Sequence, residues 1–139
     1  MTASDLAEQL KAVALFANLS KRQLGRVASR GWEQTFPAGR VLCQKGRGAD
    51  DFFVILEGTA EASRGSKKIR TLRAGDYFGE IALLDNADRT ATVVATTPLH
   101  CFLLGRSEFK SVIYEEDIAV KLLFTMAQRL RAAERLAAD

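Results

Sequence analysis

The sequence is poor in the residues from which catalytic and metal sites are most often built. Its 139 residues contain one histidine, two cysteines and two prolines. The histidine, His100, cannot alone supply the several imidazole ligands of a jelly-roll metal enzyme, and any nucleophile–histidine–acid triad would also depend on it. We therefore expect no catalytic residue, no metal site and no enzymatic activity. His100 is interpreted as a strand residue with satisfied hydrogen bonds.

The cysteines and the lack of a long apolar run narrow the class of protein further. Cys43 and Cys101 do not have C-x-x-C spacing, so they are predicted to be reduced core residues rather than a disulfide. No apolar run approaches the ~20 residues of a membrane helix, and the N-terminal M-T-A-S-D-L does not have the regions of a signal peptide. We expect a cytoplasmic protein without a membrane partner.

The net charge of +3 is too small to indicate a nucleic-acid partner. A basic cluster does surround the hairpin turn R-G-S-K-K, and it consists of Arg64, Lys67, Lys68, Arg70 and Arg73. No aromatic residue interleaves these cations, so we favour a solvated hairpin that resists edge-to-edge association over a patch for DNA, RNA or acidic lipid.

Residues 1–30 carry helical patterns. Over residues 5–15, apolar side chains recur at helical spacing and predict one buried face; they are Leu6, Leu10, Val13 and Ala14. A second helix is predicted to begin at Ser20, because Gln23 completes a capping box and Leu19 with Leu24 has the spacing of a hydrophobic staple.

Between residues 31 and 105 the pattern changes to short strands separated by glycines. Many short strands with glycine turns indicate an antiparallel barrel or sandwich. Trp32 and Phe36 lie on one face of the first strand, where we expect them to pack in the core. The length of the chain supports one domain.

The stretch 78–91, F-G-E-I-A-L-L-D-N-A-D-R-T-A, carries the chemistry. Gly79 allows close backbone approach, and the residues after it can begin a short helix whose free N–H groups attract an anion. Arg89 adds an always-charged fork to the same anion. Glu80 has the wrong sign for a phosphate ligand but can accept a hydrogen bond from a ribose 2′-OH. The stretch therefore predicts a site for a small nucleotide with one phosphate charge.

This stretch resembles the phosphate-binding cassette of the cyclic nucleotide-binding domain family, F-G-E-x-A-L followed by a loop and R-S/T/A-A. The family includes catabolite activators, kinase regulatory subunits and nucleotide-gated channels. The runs F-P-A-G-R-V-L-C-Q-K-G and F-F-V-I-L-E-G also resemble its framework, and the resemblance covers about residues 16–136.

The resemblance implies a mainly β fold with flanking helices, an antiparallel β-roll (a double-stranded β-helix or jelly roll). A single domain, 1–139, would consist of N-terminal helices in 1–30, the roll in 31–105 with the cassette at 78–91, and C-terminal helices in 106–138, one of them long.

The resemblance also implies the site residues. Arg89 and the amides of Ile81, Ala82 and Thr90 would bind the cyclic phosphate, and Glu80 the ribose. The full predicted site is Phe78, Gly79, Glu80, Ile81, Ala82, Leu83, Arg89, Thr90 and Ala91. Possible base or lid contacts are Val54, Leu72, Leu122, Met126 and Arg129. The expected ligand is cyclic AMP, with cyclic GMP possible because Thr90 can reach a guanine amino group. No cofactor is expected.

Two departures from the catabolite activators are visible. Those regulators continue into a helix-turn-helix domain, whereas this sequence ends at Asp139, so no nucleic acid is expected to bind this chain. It is interpreted either as the sensor half of such a regulator or as a free-standing module. The positions that hold the adenine edge in activators fall on Ala133 and Glu134, and an alanine side chain cannot hydrogen-bond a base.

The long C-terminal helix, capped by Asp117, has an apolar seam with steps of four, three, four, three and four residues: Ala119, Leu123, Met126, Leu130, Ala133 and Ala137. Such a seam predicts a homodimer through 118–137, and packing on the protein's own roll is the alternative. Ligand binding is expected to rearrange the flanking helices by population shift. A ligand-free oligomerisation module stays open as another function.

Overall fold

The computed structural model describes residues 3–44, 46, 51–79, 91–115 and 118–138. The N-terminal segment folds as helix α1 (Ala3–Lys11), a short 3-10 helix (Ala14–Phe16) and helix α2 (Lys21–Arg30). The single helix predicted over 5–15 is therefore wrong at its C-terminal end. Val13 adopts an extended conformation, with φ of −76° and ψ of 128°, which turns Leu15 and Phe16 into the core and leaves Ala14 exposed.

The predicted capping box at the start of α2 is confirmed. The Ser20 hydroxyl accepts from the Gln23 amide at 3.2 Å, and Gln23 Oε1 accepts from the Ser20 amide at 2.9 Å. These two bonds satisfy donors that have no partner within the helix. The apolar face of α2 is buried through Leu24, Val27 and Ala28.

Eight strands form two antiparallel sheets. They are β1 (Trp32–Phe36), β2 (Val41–Cys43), β3 (Asp51–Glu57), β4 (Ala60–Arg64), β5 (Lys67–Leu72), β6 (Tyr77–Phe78), β7 (Thr92–Ala95) and β8 (Leu99–Gly105). The first sheet has the order β1-β8-β3-β6 and the second β2-β7-β4-β5. The chain ends with helices α3 (Arg106–Ile113) and α4 (Ile118–Ala138). The predicted antiparallel roll with flanking helices and a long C-terminal helix is confirmed.

Two apolar clusters lie on opposite faces of the first sheet. Inside the roll, Phe53 and Ile55 of β3 pack with side chains of the second sheet such as Ala60 and Leu72. On the outer face, apolar residues of β3 and β8 pack against the helices; they are Phe52, Val54, Leu56, Phe102 and Leu104. Both faces of β3 are therefore buried, and successive side chains on the strand belong alternately to the two clusters.

The core assignments made from the sequence are partly confirmed. Phe36 is buried, but Trp32 is 42% exposed, so the expected core packing of Trp32 is wrong. Trp32 begins the edge strand β1, and its indole N–H donates to Gln34 Oε1 at 3.1 Å. Cys43 and Cys101 are buried and form no disulfide, as predicted. Burial raises the pKa of the Cys101 thiol to about 12.

None of the helices in the described ranges combines the length and the apolar character that crossing a bilayer requires.

Candidate ligand-binding site

The cassette, residues 78–91, connects the two sheets. It begins at Phe78 on β6, the edge strand of the first sheet, and ends at Ala91, directly before β7 in the middle of the second. Of the predicted site residues, Phe78, Gly79 and Ala91 are described. The others, Glu80, Ile81, Ala82, Leu83, Arg89 and Thr90, lie outside the described residues.

The start of the cassette is fixed by packing and by a glycine turn. Phe78 is buried inside the roll and stacks on Phe53, with ring centroids 4.7 Å apart and an interplanar angle of 8°. Gly79 then has a φ of 96°, a left-handed backbone conformation that residues other than glycine adopt only at an energetic cost. The backbone therefore turns out of β6 at the F-G pair of the motif.

The predicted base and lid contacts fall into three environments. Leu72 lies inside the roll in the same cluster as Phe78. Val54, Leu122 and the partly buried Met126 belong instead to the cluster between the first sheet and the helices. The structure therefore does not bring Val54 and Leu72 to one surface. Arg129 lies on the exposed part of α4.

Arg129 contacts β6 rather than standing free in solvent. Its guanidinium donates a hydrogen bond from Nη1 to Tyr77 Oη, and its Cζ lies 5.4 Å from the centroid of the Tyr77 ring. Tyr77 is itself packed beside Phe52, with ring centroids 6.0 Å apart. Sequence reasoning missed Tyr77, although its position immediately before the cassette was a usable signal.

The first half of α4 is held to the N-terminal helical segment by polar contacts that the sequence did not reveal. Asn18 donates to the Thr125 hydroxyl at 2.8 Å, and Thr125, which is only 5% exposed, donates to the Lys121 carbonyl at 3.1 Å. The Lys121 ammonium donates to Gln23 Oε1 at 2.7 Å. Helix α4 is thus tied to the same glutamine that caps α2.

His100 has both ring nitrogens engaged. Nδ1 lies 2.8 Å from Thr35 Oγ1, and Nε2 lies 2.8 Å from Glu33 Oε1. These partners agree with the interpretation of His100 as a satisfied strand residue. In the part of the chain that the structure describes, no three His, Cys, Asp or Glu side chains are grouped so that they could hold a metal ion.

The basic cluster lies on the β4–β5 hairpin, at the edge of the second sheet. Lys68 approaches Glu61 at 3.8 Å, with both side chains about half exposed. Surface pairs of this kind contribute little to stability. The geometry agrees with the solvated hairpin favoured from the sequence.

Known proteins resemble this chain in sequence and in fold. The family profile of the cyclic nucleotide-binding domain matches residues 33–116. The cGMP-dependent protein kinase, isozyme 1, of Drosophila melanogaster is 34% identical over 112 residues, which is 75% of this chain and 15% of the relative. The cAMP-dependent protein kinase regulatory subunit of Eremothecium gossypii is 36% identical over 105 residues, 75% of this chain and 23% of the relative.

A solved structure, the regulatory domain of Toxoplasma gondii PKA with cAMP, matches with a TM-score of 0.77 and 27% identity, covering 95% of this chain and 50% of that one. The chain spans less than a quarter of the length of the two kinase relatives. Because the profile covers more than half of the chain and both relatives exceed 30% identity, the chain belongs to the cyclic nucleotide-binding domain family, and its role is that of a regulatory ligand-binding domain.

Proposed function

We propose that this domain binds cyclic AMP in the cassette 78–91 and transmits the bound state through α4. The observation that carries the proposal is the complete cassette motif, placed between β6 and β7 on a roll of the family's architecture. The T. gondii PKA domain, described with cAMP, has the same fold and supports this ligand. The similarity to a cGMP-dependent kinase makes cyclic GMP the competing ligand.

The charge of each cassette residue determines which part of the nucleotide it binds. Arg89 and the amides of Ile81, Ala82 and Thr90 bind the singly charged cyclic phosphate, since a guanidinium and helix N-terminal N–H groups both favour an anion. Glu80 accepts from the ribose 2′-OH. The glycine turn at Gly79, with its φ of 96°, supports phosphate binding by the backbone amides, because it lets the backbone approach the ligand closely.

Helix α4 is proposed as both lid and dimer seam. Leu122 is buried against the roll, whereas two residues of the predicted seam, Leu123 and Leu130, are 64% and 63% exposed. Val120 and Phe124 add to this exposed apolar surface. Large apolar side chains exposed on one helix support a second copy of the chain as their cover, and the seven-residue step from Leu123 to Leu130 supports pairing of the two α4 helices.

Isothermal titration of the purified chain with cyclic AMP, and in parallel with cyclic GMP, tests the proposed function. We expect micromolar or tighter binding of cyclic AMP and weaker binding of cyclic GMP. The control ligand is 5′-AMP, which has the same base and ribose but an open phosphate of higher charge. Tighter binding of cyclic GMP would reverse the choice of nucleotide. Binding of neither cyclic nucleotide would reject the proposal and leave the oligomerisation module.

A further inference from the structure

The second half of α4 contacts the first sheet through Arg129. Met126 is half-buried, and every residue from 127 to 136 is exposed. Within this exposed half, Arg129 nevertheless hydrogen-bonds to the Tyr77 hydroxyl and lies over the Tyr77 ring. When an arginine makes both a hydrogen bond and a cation–π contact, the orientation of its planar guanidinium is fixed as well as its position.

The residue that receives this contact lies where the cassette begins. Strand β6 has only two residues, and they point to opposite faces of the first sheet. Phe78 faces the interior of the roll and stacks on Phe53, whereas Tyr77 faces the helices and packs beside Phe52. Gly79 and the rest of the cassette follow directly. Tyr77, which contacts Arg129, is therefore joined to the first residues of the cassette through the backbone of a single short strand.

We propose that Tyr77 is the positioning residue that couples α4 to the cassette, by holding Arg129 and the second half of the helix against the cassette entrance. The inference rests on the proposed function, because it assigns Tyr77 to the same nucleotide site. The Tyr77 hydroxyl occupies one of the five guanidinium donors, so Arg129 keeps donors for a bound nucleotide while its position is fixed. Coupling of this kind is reciprocal: a ligand bound at the cassette strengthens the docking of α4, and docking of α4 strengthens ligand binding.

The experiment compares single and double variants of the pair. Tyr77→Leu removes the ring and the hydroxyl, Tyr77→Phe removes only the hydroxyl, and Arg129→Leu removes the cation. The matched control is Arg131→Leu, an exposed arginine on the same helix that points about 200° away from Arg129. Two readouts are used: hydrogen exchange of the amides of residues 127–136 in the ligand-free protein, and cyclic AMP affinity by calorimetry.

We expect Tyr77→Leu and Arg129→Leu each to speed exchange in 127–136, and to weaken cyclic AMP binding, by roughly threefold or more, the size expected for a cation–π contact with a hydrogen bond. The double variant should be no worse than Arg129→Leu alone, because Arg129→Leu already removes the contact with Tyr77. Tyr77→Phe should have a smaller effect and Arg131→Leu none. Thermal unfolding shows whether each variant is folded. If Tyr77→Leu does not fold, the effects of Tyr77→Phe on exchange and affinity test the role of Tyr77.

The outcomes separate this inference from the proposed function. Unchanged hydrogen exchange in the variants would overturn the role of Tyr77 even if cyclic AMP binds well. A double variant whose loss of affinity equals the product of the two single losses would overturn it too. If the wild-type chain binds no cyclic nucleotide, the proposed function fails, and the exchange data alone decide whether Tyr77 holds α4. Faster exchange with unchanged cyclic AMP affinity would show a structural contact only and would also overturn the inference.

Discussion

At the scale of single residues, the proposed phosphate contact depends most on Arg89. We predict that Arg89→Ala weakens cyclic AMP binding by at least about tenfold, because a hydrogen bond to a charged group contributes about 1.5–3 kcal/mol and about 1.4 kcal/mol corresponds to tenfold. Calorimetric titration measures the change. Arg131→Ala, which removes an exposed arginine of α4, is the control for the loss of one positive charge. Equal affinities of wild type and Arg89→Ala would disprove the phosphate assignment.

Glu80 is proposed to bind the ribose rather than the phosphate, and a ligand that lacks the 2′-OH tests this proposal. Wild type should prefer cyclic AMP over its 2′-deoxy analogue, since only the former donates to the carboxylate. In Glu80→Gln that preference should shrink, because a neutral amide oxygen accepts a weaker hydrogen bond than a carboxylate. Both ligands are titrated into both proteins. The same preference in the two proteins would remove Glu80 from this role.

Two glycines allow backbone strain to be separated from steric clash. Gly39 and Gly58 have φ values of 90° and 101°, but a Cβ at Gly39 would meet no atom within 4 Å, whereas one at Gly58 would lie 2.3 Å from the Pro98 carbonyl oxygen. We predict that Gly39→Ala lowers the free energy of unfolding by about 1–2 kcal/mol from strain alone, and that Gly58→Ala lowers it further. Urea unfolding gives both values. Equal losses would mean that the Gly58 turn relaxes without cost.

At the scale of elements, α4 has a face that packs on its own domain and a face that does not. Leu122 is 5% exposed and packs among the helices and the outer face of the first sheet, whereas Leu130 is 63% exposed. Leu122→Ala should destabilise the domain by about 2–5 kcal/mol, because it leaves a cavity. Leu130→Ala should change the domain's own stability by less than about 0.5 kcal/mol.

The same pair tests the dimer. Leu130→Ala should weaken self-association measured by sedimentation equilibrium, since it removes a large side chain from the predicted seam. Leu122→Ala serves as the matched control, because the same substitution is made on the buried face of the same helix. A wild-type chain that stays monomeric at all concentrations would contradict the predicted dimer. The exposed apolar residues of α4 would then have to contact a different partner.

At the scale of the whole molecule, ligand binding should stabilise the fold and tighten α4. A ligand that binds only the folded state at 100 times its dissociation constant adds about 2.7 kcal/mol to the free energy of unfolding. We predict an increase of this size with cyclic AMP, together with slower hydrogen exchange in α4, because population shift favours the state in which the helix is docked. Thermal unfolding and exchange are measured with and without ligand. Stabilisation without any change in α4 would reject the population-shift mechanism.

Features that depend on neighbouring residues in the chain could be predicted from the sequence. The capping box needs only Ser20 and Gln23, three residues apart, and both hydrogen bonds are present. The glycine turns and the β-rich middle segment follow from local backbone preferences, and the cassette is a contiguous motif. The residues of that motif from 80 to 90 lie outside the described residues, so their individual roles stay predictions.

Placement on a face could not be predicted where both faces are apolar. The strand D-F-F-V-I-L-E has no polar alternation, so nothing in its pattern tells whether Val54 faces the roll interior or the helices. The structure places Val54 with the helices and Phe53 inside. In α4, Leu122, Leu123 and Phe124 are all apolar and consecutive, and only packing buries the first while leaving the other two exposed. Trp32 was assigned to the core because it shares a face of β1 with Phe36, and only the structure shows that it is exposed on an edge strand.

The sequence by itself therefore determined the family and the roll with its flanking helices, because both follow from short-range patterns and from one contiguous motif. It also predicted the chemistry of the cassette, which stays a prediction. Only the tertiary structure decided which side of α4 meets the domain and that Arg129 meets Tyr77. Those two residues are 52 positions apart in the chain. Their contact exists only because the first sheet, the N-terminal helical segment and α4 pack around one shared apolar cluster, and no local pattern encodes that packing.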